Sequence, residues 1–187
     1  MKHLFLLFFL VIIVSCEENA SEKSIVSVSD IKIEIDSSLN AWHKAAANAD
    51  FDAYFNLMTK DGVFIGTDAT ENWQNDAFRA FSKPYFDNGK AWSFNVVQRN
   101  IYVSEDNSLA WFDELLDTQM KICRGSGVMK KENNMWKVAH YVLSMAIPND
   151  NVSEIVKIKK EFERGVLLQK VFGLEQFYIH GYSRHRL

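Results

Sequence analysis

The side chains best suited to chemistry in this chain are a carboxylate, a guanidinium, a hydroxyl and an imidazole: Glu114, Arg124, Ser126 and His140. They stand in three consecutive runs, 108–118, 123–131 and 135–147, that alternate or are rich in β-branched and aromatic residues, the mark of β-strands. Residues opposite one another on paired strands share one face of a sheet. If the connection at Gln119–Lys121 is tight, Glu114 lies opposite Arg124 and Phe112 opposite Ser126; if that at Glu132–Asn134 is tight, His140 lies opposite Ser126. The four polar residues then meet on one face. A slip of one residue in register scatters them.

Such a group could move a proton. His140 or Glu114 would serve as general acid or base, and Arg124 would hold an anionic group or a developing oxyanion. Desolvation in apolar surroundings shifts the proton affinity of both toward useful values. The same residues also suit a purely structural role, with Glu114 and Arg124 as an ion pair between strands and a neutral His140 satisfying a hydroxyl or backbone group. The sequence leaves both open. Asp113 and Asp117 alternate onto the face opposite Glu114, and Gly125 and Gly127, which flank Ser126 inside a strand, read as close-packing or bulge positions. No HExxH, cysteine pair at metal spacing, phosphate-binding glycine loop or GxSxG elbow occurs, so neither a metal nor another cofactor is expected.

The elements that must position these residues begin with a helix. From Ser29 onward Ile31, Ile35, Leu39, Trp42, Ala46 and Ala49 recur at spacings of three and four. Asp50 looks like the cap of a shorter second helix carrying Phe51, Phe55 and Met58, and Asp61-Gly62 turns the chain into a brief strand over 63–65. A third helical segment, 73–88, sets Phe78, Phe81 and Tyr85 on one side and stops at Gly89; Pro84 predicts a kink or two short helices. Four strands follow, 92–103 and the three runs above, joined as antiparallel hairpins. Pro148-Asn149-Asp150 ends the last, and 152–162 reads as a terminal amphipathic helix. Helices first and an antiparallel meander after them make an α+β domain, a curved sheet closed on one face by helices.

That order, with the segments Lys83–Trp92, Ala110–Glu114, Cys123–Val128 and Trp136–Ser144 running into Ile147-Pro148-Asn149, resembles the SnoaL-like domain of the nuclear-transport-factor-2-like superfamily over residues 30–163. The resemblance implies a cone-shaped fold whose concave face looks into a pocket between sheet and helices. Trp42, Tyr54, Phe81 and Tyr85 would line its wall, with Phe112 and Ser126 from the sheet. It also implies a small hydrophobic or amphipathic molecule as ligand. The superfamily holds isomerases, dehydratases and polyketide cyclases beside proteins that only bind or assemble. A cofactor-free acid/base enzyme and a sheet-mediated assembly module are therefore the alternatives. The resembled fold commonly dimerises through its sheet, and an exposed aromatic at Trp111 agrees with a homodimer.

The first fifteen residues carry a different message. Lys2 supplies a positive n-region, residues 4–14 an apolar run too short for a spanning helix, and Ile13-Val14-Ser15-Cys16 resembles the lipobox of a bacterial lipoprotein signal peptide. The expected mature chain begins at an acylated Cys16, with 16–29 as tether, and sits in the bacterial cell envelope anchored to a membrane, the leaflet unspecified. Cys123 then has no intramolecular mate and reads as a buried apolar filler. The formal net charge of −3 becomes −4 on loss of Lys2, and with no basic stripe this argues against nucleic acid as a partner. Residues 164–187 form an extension beyond the resemblance.

Overall fold

The computed structural model of the protein describes residues 27–160 and 163. The expected signal peptide, Cys16, most of the expected tether, Phe162 and residues 164–187 lie outside the described residues.

Helix α1 (Val28–Ala47) starts where Ser27 accepts a hydrogen bond from the Asp30 backbone N–H, the N-cap that a short hydroxyl side chain provides. Its buried face holds Ile31, Ile35, Leu39, Trp42 and Ala46 of the series read from the sequence, with His43 and Ala45 added; Ala49 lies past the helix end, at φ +53°. Helix α2 (Phe51–Asn56) is capped in the same way by Asp50, which accepts from the Ala53 N–H. Helix α3 (Asn75–Asp87) starts two residues later than expected and runs unbroken through Pro84. The proline is the tenth of thirteen residues; it removes the donor that would bond the Ala80 carbonyl, and only three residues of helix follow it. Gly89, at φ +68°, ends the segment and donates to the Phe86 carbonyl.

The sheet has six strands: β1 (Met58–Ile65), β2 (Asn72–Gln74), β3 (Asn95–Val103), β4 (Leu109–Thr118), β5 (Lys121–Glu132) and β6 (Met135–Met145), in the spatial order β2-β1-β6-β5-β4-β3. The β3–β6 meander is antiparallel as the alternation requires. Two features depart from expectation. β1 is longer than 63–65 and pairs in parallel with β6, because the chain leaves β1 for α3 and re-enters the sheet at its far edge. β2, three residues long, pairs with β1 and is too short to show a period. A 3-10 turn, Asn149–Asn151, leads into helix at 152–160. No helix of the described residues is long and apolar enough to cross a membrane.

Register is where the structure corrects the sequence reading. The β4–β5 turn holds only Gln119 and Met120 between the paired Thr118 and Lys121, so Glu114 faces Gly125, Leu115 faces Arg124, Phe112 faces Gly127 and Asp113 faces Ser126. The β5–β6 turn holds Asn133 and Asn134, both at positive φ, the backbone of a tight I′ hairpin. Further along, Met129 pairs with Val138 but Val128 with His140, leaving Ala139 unpaired as a bulge. Trp136 and Val138 point inward before it, and Tyr141 and Leu143 after it. His140 is thereby turned outward.

The space between sheet and helices is filled by rings. Trp42 stacks on Tyr54 and meets Tyr141 edge-on, each pair 4.9 Å apart, and Phe64 stacks on Phe78 at 4.1 Å. Cys123 is buried in this core with a free thiol.

Candidate functional site

Among the described residues the interior holds one carboxylate, Glu114, in the middle of β4 and 1 % exposed. Its neighbours come from three other elements. Arg99 sits directly opposite it on β3, donates from Nε to Oε2 at 2.9 Å and places Nη2 at 2.8 Å from the same oxygen. Tyr141 of β6 donates its hydroxyl to Oε1 at 2.9 Å. His43 of α1 places Nε2 at 2.8 Å from Oε1. Gly125 makes this possible: a Cβ there would stand 2.2 Å from the Tyr141 hydroxyl oxygen and 2.9 Å from Oε1. At Gly127 a Cβ would press on the His140 carbonyl and the Phe112 ring, so both glycines are close-packing positions.

The network continues to the surface. Arg99 Nη1 donates to Asp36 Oδ1 at 2.7 Å and to Asn40 Oδ1 at 2.8 Å, both on the exposed side of α1. Burial by itself pushes the Glu114 carboxyl up. The hydrogen bond and charge of His43 and the Arg99 ion pair outweigh it and hold the group below the usual carboxylate range. Burial, followed by the adjacent Glu114 charge, drives the Tyr141 hydroxyl well above its ordinary value. It therefore stays a proton donor to Oε1. With Oε1 ionised and accepting, Nε2 of His43 carries the proton in the Glu114 bond, and the other ring nitrogen is the one left for a ligand. Nδ1 makes no hydrogen bond among the described residues, and the ring lines an open pocket of roughly 380 Å³ with Asn40, Lys44, Ala47 and the segment Ser93–Val96. A carboxylate that fixes an imidazole tautomer while the ring lines a pocket can support hydrogen-bond recognition or proton transfer.

Of the residues singled out from the sequence, the structure brings only Glu114 and Phe112 to the inner face. Arg124 is exposed, and Ser126 and His140 lie half-buried on the outer face of the sheet. The one-residue shift at the first turn and the Ala139 bulge separate them from Glu114. Arg124 and His140 thus touch no part of the carboxylate network. Trp42 and Tyr54 are sealed in the core rather than lining an open wall. Phe81 and Tyr85 are half-buried on α3, where Phe81 stacks on Trp73 at 4.4 Å. The residues the sequence reading passed over are His43 and Arg99. His43 follows Leu39 by four and precedes Ala46 by three, a position on the buried helical face. Arg99 alternates with Ile101 and Val103, which are packed against the core. Both signals were present. Among the described residues no three metal-ligating side chains cluster.

The fold, a curved sheet closed by helices around this network, is that of the nuclear-transport-factor-2-like cone. The SnoaL-like domain model matches residues 35–148, and the chain belongs to the SnoaL-like family. Among solved structures it is similar to an NTF2-like protein of unknown function from Pseudomonas putida KT2440, with 15 % identity, a TM-score of 0.55, and coverage of 66 % of this chain and 92 % of that one. It is also similar to a protein put forward as a dehydratase of the NTF2-like family from Streptomyces avermitilis, with 11 % identity, a TM-score of 0.55, and coverage of 64 % and 98 %. A third is the association domain of C. elegans CaMKII, with 18 % identity, a TM-score of 0.54, and coverage of 64 % and 99 %. No curated protein matches the sequence.

Proposed function

We propose that the protein is an envelope lipoprotein whose SnoaL-like domain binds a small amphipathic molecule at the mouth of the cone. One observation carries this reading: a buried carboxylate fixes His43 from behind while the ring lines an open pocket. The pocket is of a size that small ligands fill and mixes polar groups with the apolar surface of Ala47, Phe94 and Val96. The aromatic filling of the deeper cone favours this mouth over the cone interior as the site. The test is a titration of the full chain with small amphipathic compounds, followed by the ring resonances of His43. A ligand that shifts them should lose about tenfold or more in affinity in His43→Gln, the size of one charged or polar contact removed. Compounds that bind with His43 unperturbed would refute the site.

A second reading, proton transfer without a cofactor, is favoured by the same Glu114–His43 pair, and one structural neighbour is itself put forward as a dehydratase. It predicts turnover of the bound compound, lost in His43→Gln while binding of the unreacted compound persists.

The lipobox-like Ile13-Val14-Ser15-Cys16 supports cleavage before Cys16 and an acyl anchor, with 16–29 as tether and 30–163 as the functional domain. Cys16→Ser should then leave the membrane fraction. Pairing of two copies through the outer sheet face completes the proposal. The exposed Tyr102 and Trp111, stacked at 5.8 Å, favour it, and a structural neighbour is an association domain.

A further inference from the structure

We propose that the polar end of the ligand is a carboxylate, held at the mouth pocket between Lys44 and the ring of His43, which Glu114 backs from the other side. This rests on the ligand-binding reading above and names the chemistry of its polar end.

The argument begins with the lining. No acidic side chain lines the mouth pocket. Lys44 lines it and has no ion pair among the described residues, and the side chains of Ser93 and Asn95 make no hydrogen bonds there. Asn40 is already engaged, donating to Asp36 at 3.0 Å and accepting from Arg99. The free polar groups are thus a cation, a hydroxyl, an amide and the second nitrogen of His43. Phe94 meets the imidazole edge-on at 5.7 Å, which sets an apolar surface beside the polar end.

Charge then favours an anion over a neutral head group. Glu114 from β4 holds Nε2 of the ring, and Arg99 from β3 spends its charge on Glu114 and Asp36. Lys44, on the same helix as His43, has no acidic neighbour in the lining until a ligand carboxylate arrives. A carboxylate there gains a charge-assisted contact that an alcohol does not.

The experiment compares hexanoate with 1-hexanol, which share a chain length and differ at the polar end, on the full chain in a nonionic detergent. Binding is read by His43 ring resonances and by calorimetry. Hexanoate should bind about tenfold more tightly than hexanol at pH 7, where it is fully ionised. Lys44→Gln should weaken hexanoate about threefold and leave hexanol unchanged, the scale of one exposed charge contact. Equal affinity for the two compounds would overturn this inference and leave the amphipathic-ligand reading intact. Binding of neither at the mouth pocket would overturn both.

Discussion

Glu114 shows how much of this protein is decided at single residues. A carboxylate with 1 % exposure is tolerable only because each oxygen is met by at least one donor, and three of the four side chains in the network reach it from separate elements. Removing the charge leaves Arg99 buried against a neutral partner. Glu114→Gln should cost about 3–5 kcal/mol, the range for breaking a buried pair from one side. The pH dependence fixes the cause. Because the folded carboxyl is held below its ordinary value near 4.5, its contribution is fully present above that value and is lost as the pH falls through the folded one. Urea unfolding from neutral pH downward should show the two proteins converging in acid, the variant staying flatter. A gap that stays constant through the acid range would mean that the charge of Glu114 is not what stabilises the fold.

At the scale of elements, much was legible and the decisive part was not. The three-and-four spacing of Ile31, Ile35, Leu39 and Trp42 and the period of two in β4 to β6 are local signals, and the structure follows them. Register is a different kind of information. It depends on how many residues a turn consumes and on whether a strand bulges, and Ala139 leaves no mark in composition. The inward parity of β6 changes there, from Trp136 and Val138 to Tyr141 and Leu143. That single residue exchanges His140 for Tyr141 at the site. A carboxylate, imidazole and guanidinium together were foreseen, but His43 and Arg99 supply the last two. The β5–β6 hairpin that sets this register carries Asn133 and Asn134 at φ 50° and 64°. Glycine is the residue such a second position favours, so Asn134→Gly should stabilise the protein by roughly 0.5 kcal/mol. A lower thermal midpoint in the variant would show that the asparagine side chain contributes something the backbone does not.

For the whole molecule the two faces of the sheet divide the work. The inner face carries Glu114 and the aromatic core, while the outer face carries a row, Tyr102, Trp111, Val128 and His140, running across four strands. Tyr102 is 45 % and Trp111 50 % exposed, a large apolar surface to leave in water, and a second copy related by a two-fold axis would cover it with its own row. Below this row lie Asp113, Ser126 and Arg124, polar groups that suit the rim of such a contact rather than its centre. In such a pair the Arg124 and His140 side chains, separated from Glu114 by the register, would lie beside the partner copy. In detergent the full chain should have the protein mass of two copies by light scattering. Trp111→Lys, which places a charge at the centre of the row without touching the inner face, should reduce it to one while leaving circular dichroism and the His43 response to ligand unchanged. A wild-type mass equal to one chain would rule out the pairing. A variant that stays dimeric would move the interface away from this row.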